Sequence, residues 1–240
     1  MLSQADATIY LANQRGCSQE EWHRSYHTFN FGSYFNESRK SFANLQVVND
    51  DALKGGSTIT FDVKENTLIL LLPLVGAFDF QNQYEQGSVE VGQCYHFFAT
   101  KNSSFEIINP YESELINFLQ IWLTTESPKH LTATHKIDFD LNLHKNQLIA
   151  LSSTGINKNA IAFIGKFDGR QEGIISIQHP DKGAFVFIIE GAFEVQNRLL
   201  QPRDGLAIWN TSEIEFEALS NDAIILIVEL IDFALPLGPE

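Results

Sequence analysis

Cysteine, methionine and positive charge are scarce in this chain. Its 240 residues include two cysteines, Cys17 and Cys94, and one methionine. No Cys-x-x-Cys occurs, which removes the zinc-knuckle and thioredoxin signatures. The two thiols permit one disulfide, but nothing requires it, and Cys94 is expected to be a buried small hydrophobe. Lys and Arg total 16 against 30 Asp and Glu, a formal charge of −14. That field repels phosphate backbones and no basic run offsets it, so direct nucleic-acid binding is not expected. The acids are spread along the chain and read as a solubilising surface. Long apolar runs are also missing. The longest, TLILLLPLVGAF, is too short to span a bilayer and contains Pro73. The opening stretch MLSQADATIYLANQRG has neither a basic n-region nor a long apolar h-region. The expectation is a soluble, cytoplasmic protein with no membrane partner. No G-x-G-x-x-G or G-x-x-x-x-G-K is present, so no nucleotide site is expected. The seven histidines include no His-x-His.

What the chain does have is a succession of short apolar runs parted by polar or glycine turns. STITFDV, FEIINP, GIISIQ, IEFEAL and AIILIVELI are typical, rich in Ile, Val, Phe and Leu and often alternating with polar residues. This is the rhythm of half-buried strands in a sandwich or barrel. Helical signals are few. SQEEWHRSYH (18–27) has an N-cap serine followed by acids in the first turn and predicts a short helix. LHKNQLIALSS (143–153) is ambiguous between helix and strand and is read as a short extended segment.

The pattern occurs twice. LILLLPLVGAFDFQNQ is echoed by AFVFIIEGAFEVQNR, and each copy is followed by a glycine-led strand, VGQCYHFFA and then RDGLAIW. Two copies imply two related β-domains. The break is expected in the polar TTESPKHLTATHK (124–136), giving domains 1–126 and 127–240.

Four segments carry a family resemblance: YHTFNFGSYF (26–35), FANLQVVNDD (42–51), LQIWL (119–123) and RDGLAIWN (203–210). The unit resembles the cupin jelly roll, and these words resemble the pirin family, from about residue 9 to residue 232. Pirins read approximately W-H-T-F-S-F-x-x-Y-Y and F-x-x-L-R-V-x-N-D-D at the first two. The resemblance implies an all-β bicupin, two jelly-roll barrels with few short helices. It also implies an N-terminal cup that in the family holds iron or a similar divalent ion on three histidines and a glutamate. Some pirins resemble quercetin dioxygenases in activity, and others are described as transcriptional co-regulators.

Carried over residue by residue, the family's ligands are missing. Counting from Asp51 to Gly76 without a gap puts the His-Pro-His on Asp62-Val63-Lys64, and the His-Ser-Glu before Asn109-Pro110 falls on Phe105-Glu106-Ile107. Phe105 and Ile107 have no donor atoms, Lys64 repels a divalent cation, and Asp62 alone does not hold one. Asp62 and Lys64 are expected to face the cup as an opposite-charge pair. The alternative is a register shift that leaves both at the solvated rim. Glu106 should face away, by strand alternation. His27 and His96 are candidate wall residues rather than ligands. In the second half the cupin positions fall on Gln178 and Pro180, with His179 of opposite parity.

Three functions follow. The first is a pirin-like protein without metal or other cofactor, acting as a monomeric binding or regulatory protein with a small-molecule ligand in the N-terminal cup or a protein partner. The second is a metal-free cupin enzyme in which Asp62 and Lys64, joined by His27 or His96, act as acid and base. The third is an iron dioxygenase of the quercetinase type with other ligands.

Overall fold

The computed structural model describes residues 5–125, 135–154, 159–177 and 183–230. Within them the chain is built almost wholly of strands. The first six are β1 (Asp6–Tyr10), β2 (Gly16–Gln19), β3 (His23–His27), β4 (Leu45–Leu53), β5 (Thr58–Val63) and β6 (Thr67–Val75). Next come β7 (Phe78–Gln81), β8 (Gln86–Val89), β9 (Gln93–Ala99), β10 (Ser103–Ile108), β11 (Ile116–Thr124) and β12 (His135–Asp138). The second half supplies β13 (Leu148–Thr154), β14 (Asn159–Phe167), β15 (Glu172–Ser176), β16 (Ala184–Glu190) and β17 (Phe193–Val195). It ends with β18 (Arg198–Leu200), β19 (Gly205–Trp209), β20 (Glu213–Ala218) and β21 (Ala223–Glu229). Two single 3₁₀ turns, Ala12–Gln14 and Glu37–Arg39, are the helical elements among the described residues. The fold is all-β, as the apolar rhythm predicts.

Each of two compact units is a pair of facing antiparallel sheets. In Arg15–Phe139 a seven-stranded sheet, β12-β9-β6-β11-β4-β3-β2, covers a four-stranded one, β5-β10-β7-β8. Ile69, Leu71, Tyr95, Phe97 and Trp122 from the first pack against Phe61, Val63, Phe80, Phe105 and Ile107 from the second. The other unit joins Met1–Gln14 to Asp140–Glu240, with sheets β1-β19-β16-β21-β14-β13 and β15-β20-β17-β18 around Phe167, Phe193 and Phe216.

The units do not part at 126/127. β12 pairs with β9, from His135↔His96 to Asp138↔Gln93, so the first unit runs past the polar segment. β1 pairs with β19, from Asp6↔Trp209 to Tyr10↔Gly205, so the first residues complete the sheet of the second unit. Non-local pairing of this kind leaves no trace in composition.

The repeated glycines occupy matching places. Gly76 (φ +74°) follows β6 and Gly191 (φ +71°) follows β16, both in the left-handed region. A Cβ would approach Ile116 Cγ2 to 2.8 Å at Gly76 and Ala223 Cβ to 2.6 Å at Gly191. The predicted helix at 18–27 is instead the β2–β3 hairpin, paired from Gly16↔His27 to Gln19↔Arg24. Local propensity is overridden because Ser25 and His27, two apart on one strand face, are buried against β4. The ambiguous segment at 143–153 ends in a strand, β13.

Candidate functional site

The inner face of the seven-stranded sheet carries a polar row. Strand alternation turns His23, Ser25 and His27 inward from β3, Asn49 and Asp51 from β4, and Gln120 and Trp122 from β11. The register aligns them: His27↔Asn49, Ser25↔Asp51, Asn49↔Gln120 and Val47↔Trp122. Asp51 is fully buried, and its carboxylate is shared. His23 Nε2 lies 2.8 Å from Oδ1, and Gln120 Nε2 donates to Oδ2 at 2.7 Å. Gln120 Oε1 in turn accepts from the Trp122 indole N–H at 2.8 Å. Asp50 points the other way, where it meets Arg15 at 3.3 Å and accepts from Asn117 at 2.7 Å. The Asn-Asp-Asp word is thus a structural knot with one acid on each face of β4.

His27 has a hydroxyl near each ring nitrogen, Ser18 Oγ 2.9 Å from Nε2 and Ser25 Oγ 3.3 Å from Nδ1. Burial lowers its pKa below the ordinary 6.5, opposed in part by the Asn49 amide and Asp51. Among the described residues, no hydrogen bond of normal geometry closes on either polar atom of that buried amide. These residues back a cleft of about 650 Å³ at the mouth of the barrel, whose lining includes Ser18, His23, His27, Phe31, Phe61 and Trp122.

The facing wall is aromatic. Phe61 and Phe105 are register partners on β5 and β10, with ring centroids 5.2 Å apart and nearly parallel. Phe105 also meets Phe97 edge-on at 5.2 Å and Trp122 at 5.8 Å. Phe105 is 2% exposed and Ile107 is fully buried. Behind them Asn109 is a structural residue: its amide donates to Leu53 O and Glu114 O, and its oxygen accepts from Tyr111 N.

Three comparisons place the chain. A family model described as "Quercetinase C-terminal cupin domain" matches residues 150–230. Quercetin 2,3-dioxygenase of Escherichia coli K12 is 23% identical over 225 residues, covering 91% of this chain and 97% of that protein. The pirin-like protein YhaK of the same organism is 24% identical over 144 residues, 60% of this chain and 61% of that protein. In sequence and fold the chain is similar to the pirin family. The crystal structure of YhhW from Escherichia coli superposes with a TM-score of 0.81 at 22% identity, over 95% of this chain and all of that one. A second structure of that protein, a complex with nickel(II), gives 0.77 at 21% identity, over 93% of this chain and 99% of that one. These likenesses establish the bicupin fold.

The family's metal can now be tested against the residues present. Phe105 and Ile107 face the cup, but Asp62 and Lys64 do not. Both are exposed, while Phe61 and Val63 beside them are buried. The reason is strand alternation on β5, which turns Phe61 and Val63 into the core and the residues between and after them outward. The residues of this stretch that face the cup are therefore Phe61 and Val63. The inward set is then two phenyl rings, an isopropyl and a sec-butyl group, and it does not fit a metal. Among the described residues, no group of three or more His, Cys, Asp or Glu is arranged to hold one. Glu106 alternates with the buried Phe105 and Ile107, is half-buried and accepts a hydrogen bond from Thr60.

Asp62 and Lys64 sit instead at the rim of the cleft, the alternative the sequence left open. No ion pair joins them among the described residues. Asp62→Ala and Lys64→Ala should each change unfolding free energy by less than about 0.5 kcal/mol, as exposed substitutions do. Urea melts check this.

His27 is at the cup, but His96 is not. Tyr95 and Phe97 turn into the core, so His96 between them faces outward, beside His135. Burial, with His135 nearby, lowers its pKa from 6.5 to about 4. Gln178, His179 and Pro180 lie outside the described residues.

The depressed histidines fix a pH dependence. The unfolded chain takes up protons below pH 6.5 that the fold resists, so the stability present above 6.5 is lost as pH falls. For His96 the window runs from 6.5 to about 4. Urea midpoints should therefore decline between pH 7.5 and 5, and His96→Gln should flatten the slope.

Ser18, His23, Ser25, Asp51, Gln120 and Trp122 were missed by sequence reasoning as members of the site. The i, i+2 pattern of His23, Ser25 and His27 was the available signal. It was hidden by the helix-like acids that precede it.

Proposed function

We propose that this chain is a pirin-family bicupin whose N-terminal cup has replaced its metal with an apolar plug, and that it acts as a binding or regulatory protein. The observation that carries this is the inward set Phe61, Val63, Phe105 and Ile107, buried and free of donor atoms. The cleft outside the plug takes a small molecule. Trp122, Phe31 and Phe61 offer it flat apolar surface, and Ser18, Ser25 and neutral His27 offer hydrogen bonds. A protein partner is the other route to regulation. On this reading the protein is a cytoplasmic monomer without a cofactor, and its acidic surface keeps it from nucleic acid directly.

One observation favours a second reading, an iron dioxygenase of the quercetinase type on other donors: likeness to a protein named quercetin 2,3-dioxygenase runs over 91% of the chain. The acid–base reading on Asp62 and Lys64 loses its basis, because both are solvated. Oxygen uptake with quercetin separates the first two. The plugged cup predicts no consumption above the protein-free rate with ferrous iron or nickel added. Turnover lost on His27→Ala would support the dioxygenase.

A further inference from the structure

We propose that His96 and His135 form a site for a divalent transition-metal cation on the face of β9 and β12 that points away from the cup. The two residues are direct register partners on neighbouring antiparallel strands. Their ring centroids are 5.3 Å apart and their planes meet at 52°. Directly opposed residues have Cβ atoms about 4.5–5.5 Å apart, which lets both side chains turn to one point. Imidazole nitrogens bind zinc at about 2.0–2.1 Å, so a single ion can be held by two rings so spaced.

A second observation points to a ligand here. His96 is 4% exposed, and among the described residues its Nδ1 has no hydrogen-bond partner. A buried polar nitrogen left unpaired is costly, and a cation is an acceptor of its lone pair that the protein does not otherwise supply. Burial also keeps this imidazole neutral, the form that ligates. His135 is exposed and gives the ion an approach from solvent.

The cation class follows from the donors. Two imidazoles suit zinc, copper and nickel, with copper bound most tightly, and are poor ligands for magnesium or calcium. Water completes the coordination. β12 is an edge strand held in its sheet by β9 alone. A bridging ion therefore pins the end of the first unit to its barrel and stabilises the fold by mass action. The site is independent of the reading of the cup.

The test is calorimetric titration of the full chain with zinc chloride and with copper chloride, paired with thermal melts. Wild type should bind one equivalent of each and melt higher at saturating zinc. An outer-sphere partner of a metal site is already worth about ten- to a hundredfold, so losing one of two ligands should weaken binding by at least about a hundredfold. His135→Ala should show that loss, and its melting point should no longer respond to zinc. His96→Asn, which keeps a polar group in the buried position, should lose binding too. His144→Ala, an exposed histidine elsewhere, should bind as wild type. Equal affinity in wild type and His135→Ala, or no heat of binding in wild type, overturns the proposal.

Discussion

Phe105→Ala should lower the unfolding free energy by about 4 kcal/mol, within the range for a fully buried phenylalanine. The ring is 2% exposed and touches Phe61, Phe97 and Trp122, drawn from three other strands in both sheets. Its loss removes apolar contact from each and leaves a void that the paired sheets cannot collapse to fill. The size of the effect separates two pictures of the cup. If Phe105 lined an open ligand cavity, truncation would enlarge that cavity at little cost. If it is a plug, truncation opens a hole in the core. Urea unfolding at constant m-value measures the difference, and a loss below about 1 kcal/mol would place Phe105 on a cavity wall rather than in the core.

Asp51→Ala comes next in size, at about 3 kcal/mol. The carboxylate is fully buried and accepts from Gln120 while facing His23. Alanine would leave the Gln120 amide without an acceptor in a place water reaches poorly, and that desolvation sets the cost. The effect should travel along the row. Gln120 also orients the Trp122 indole, so the tryptophan emission should broaden and shift in the variant. Asp51→Asn keeps the volume but turns one acceptor into a donor, so an intermediate loss is expected. A stability change within about 0.5 kcal/mol for Asp51→Ala would mean that the row is solvated.

These two residues also show how much could be read from the sequence. The all-β class was legible from short alternating runs, and the two-unit plan from the echo around Gly76 and Gly191. Phe105 and Ile107, expected inward, are buried. Asp62 and Lys64 were expected inward too and are exposed, because the face β5 turns to the core is decided by packing against distant strands, which a local pattern does not encode. The unit boundary failed for the same reason at larger scale: β1 and β12 belong where their partners are, and the partners are distant in sequence. At 18–27 the capping signal was real but local. The hairpin wins because it buries Ser25 and His27 against β4.

The chemistry of the cup follows from the same parity. With Asp62 and Lys64 inward, the cup would hold a buried ion pair at its desolvation cost. With Phe61 and Val63 inward, that wall of the cup is apolar packing. The polar row of His27, Asn49 and Asp51 lies on the opposite sheet.

The most direct measurement is the metal content of the His135→Ala variant, in which the outer histidine pair cannot contribute. Purified protein would be incubated with ferrous iron, manganese or nickel, dialysed exhaustively and subjected to elemental analysis. The plugged cup predicts far less than one equivalent of each. One equivalent retained, and released by His27→Ala, would show a working metal centre in the cup and contradict the account.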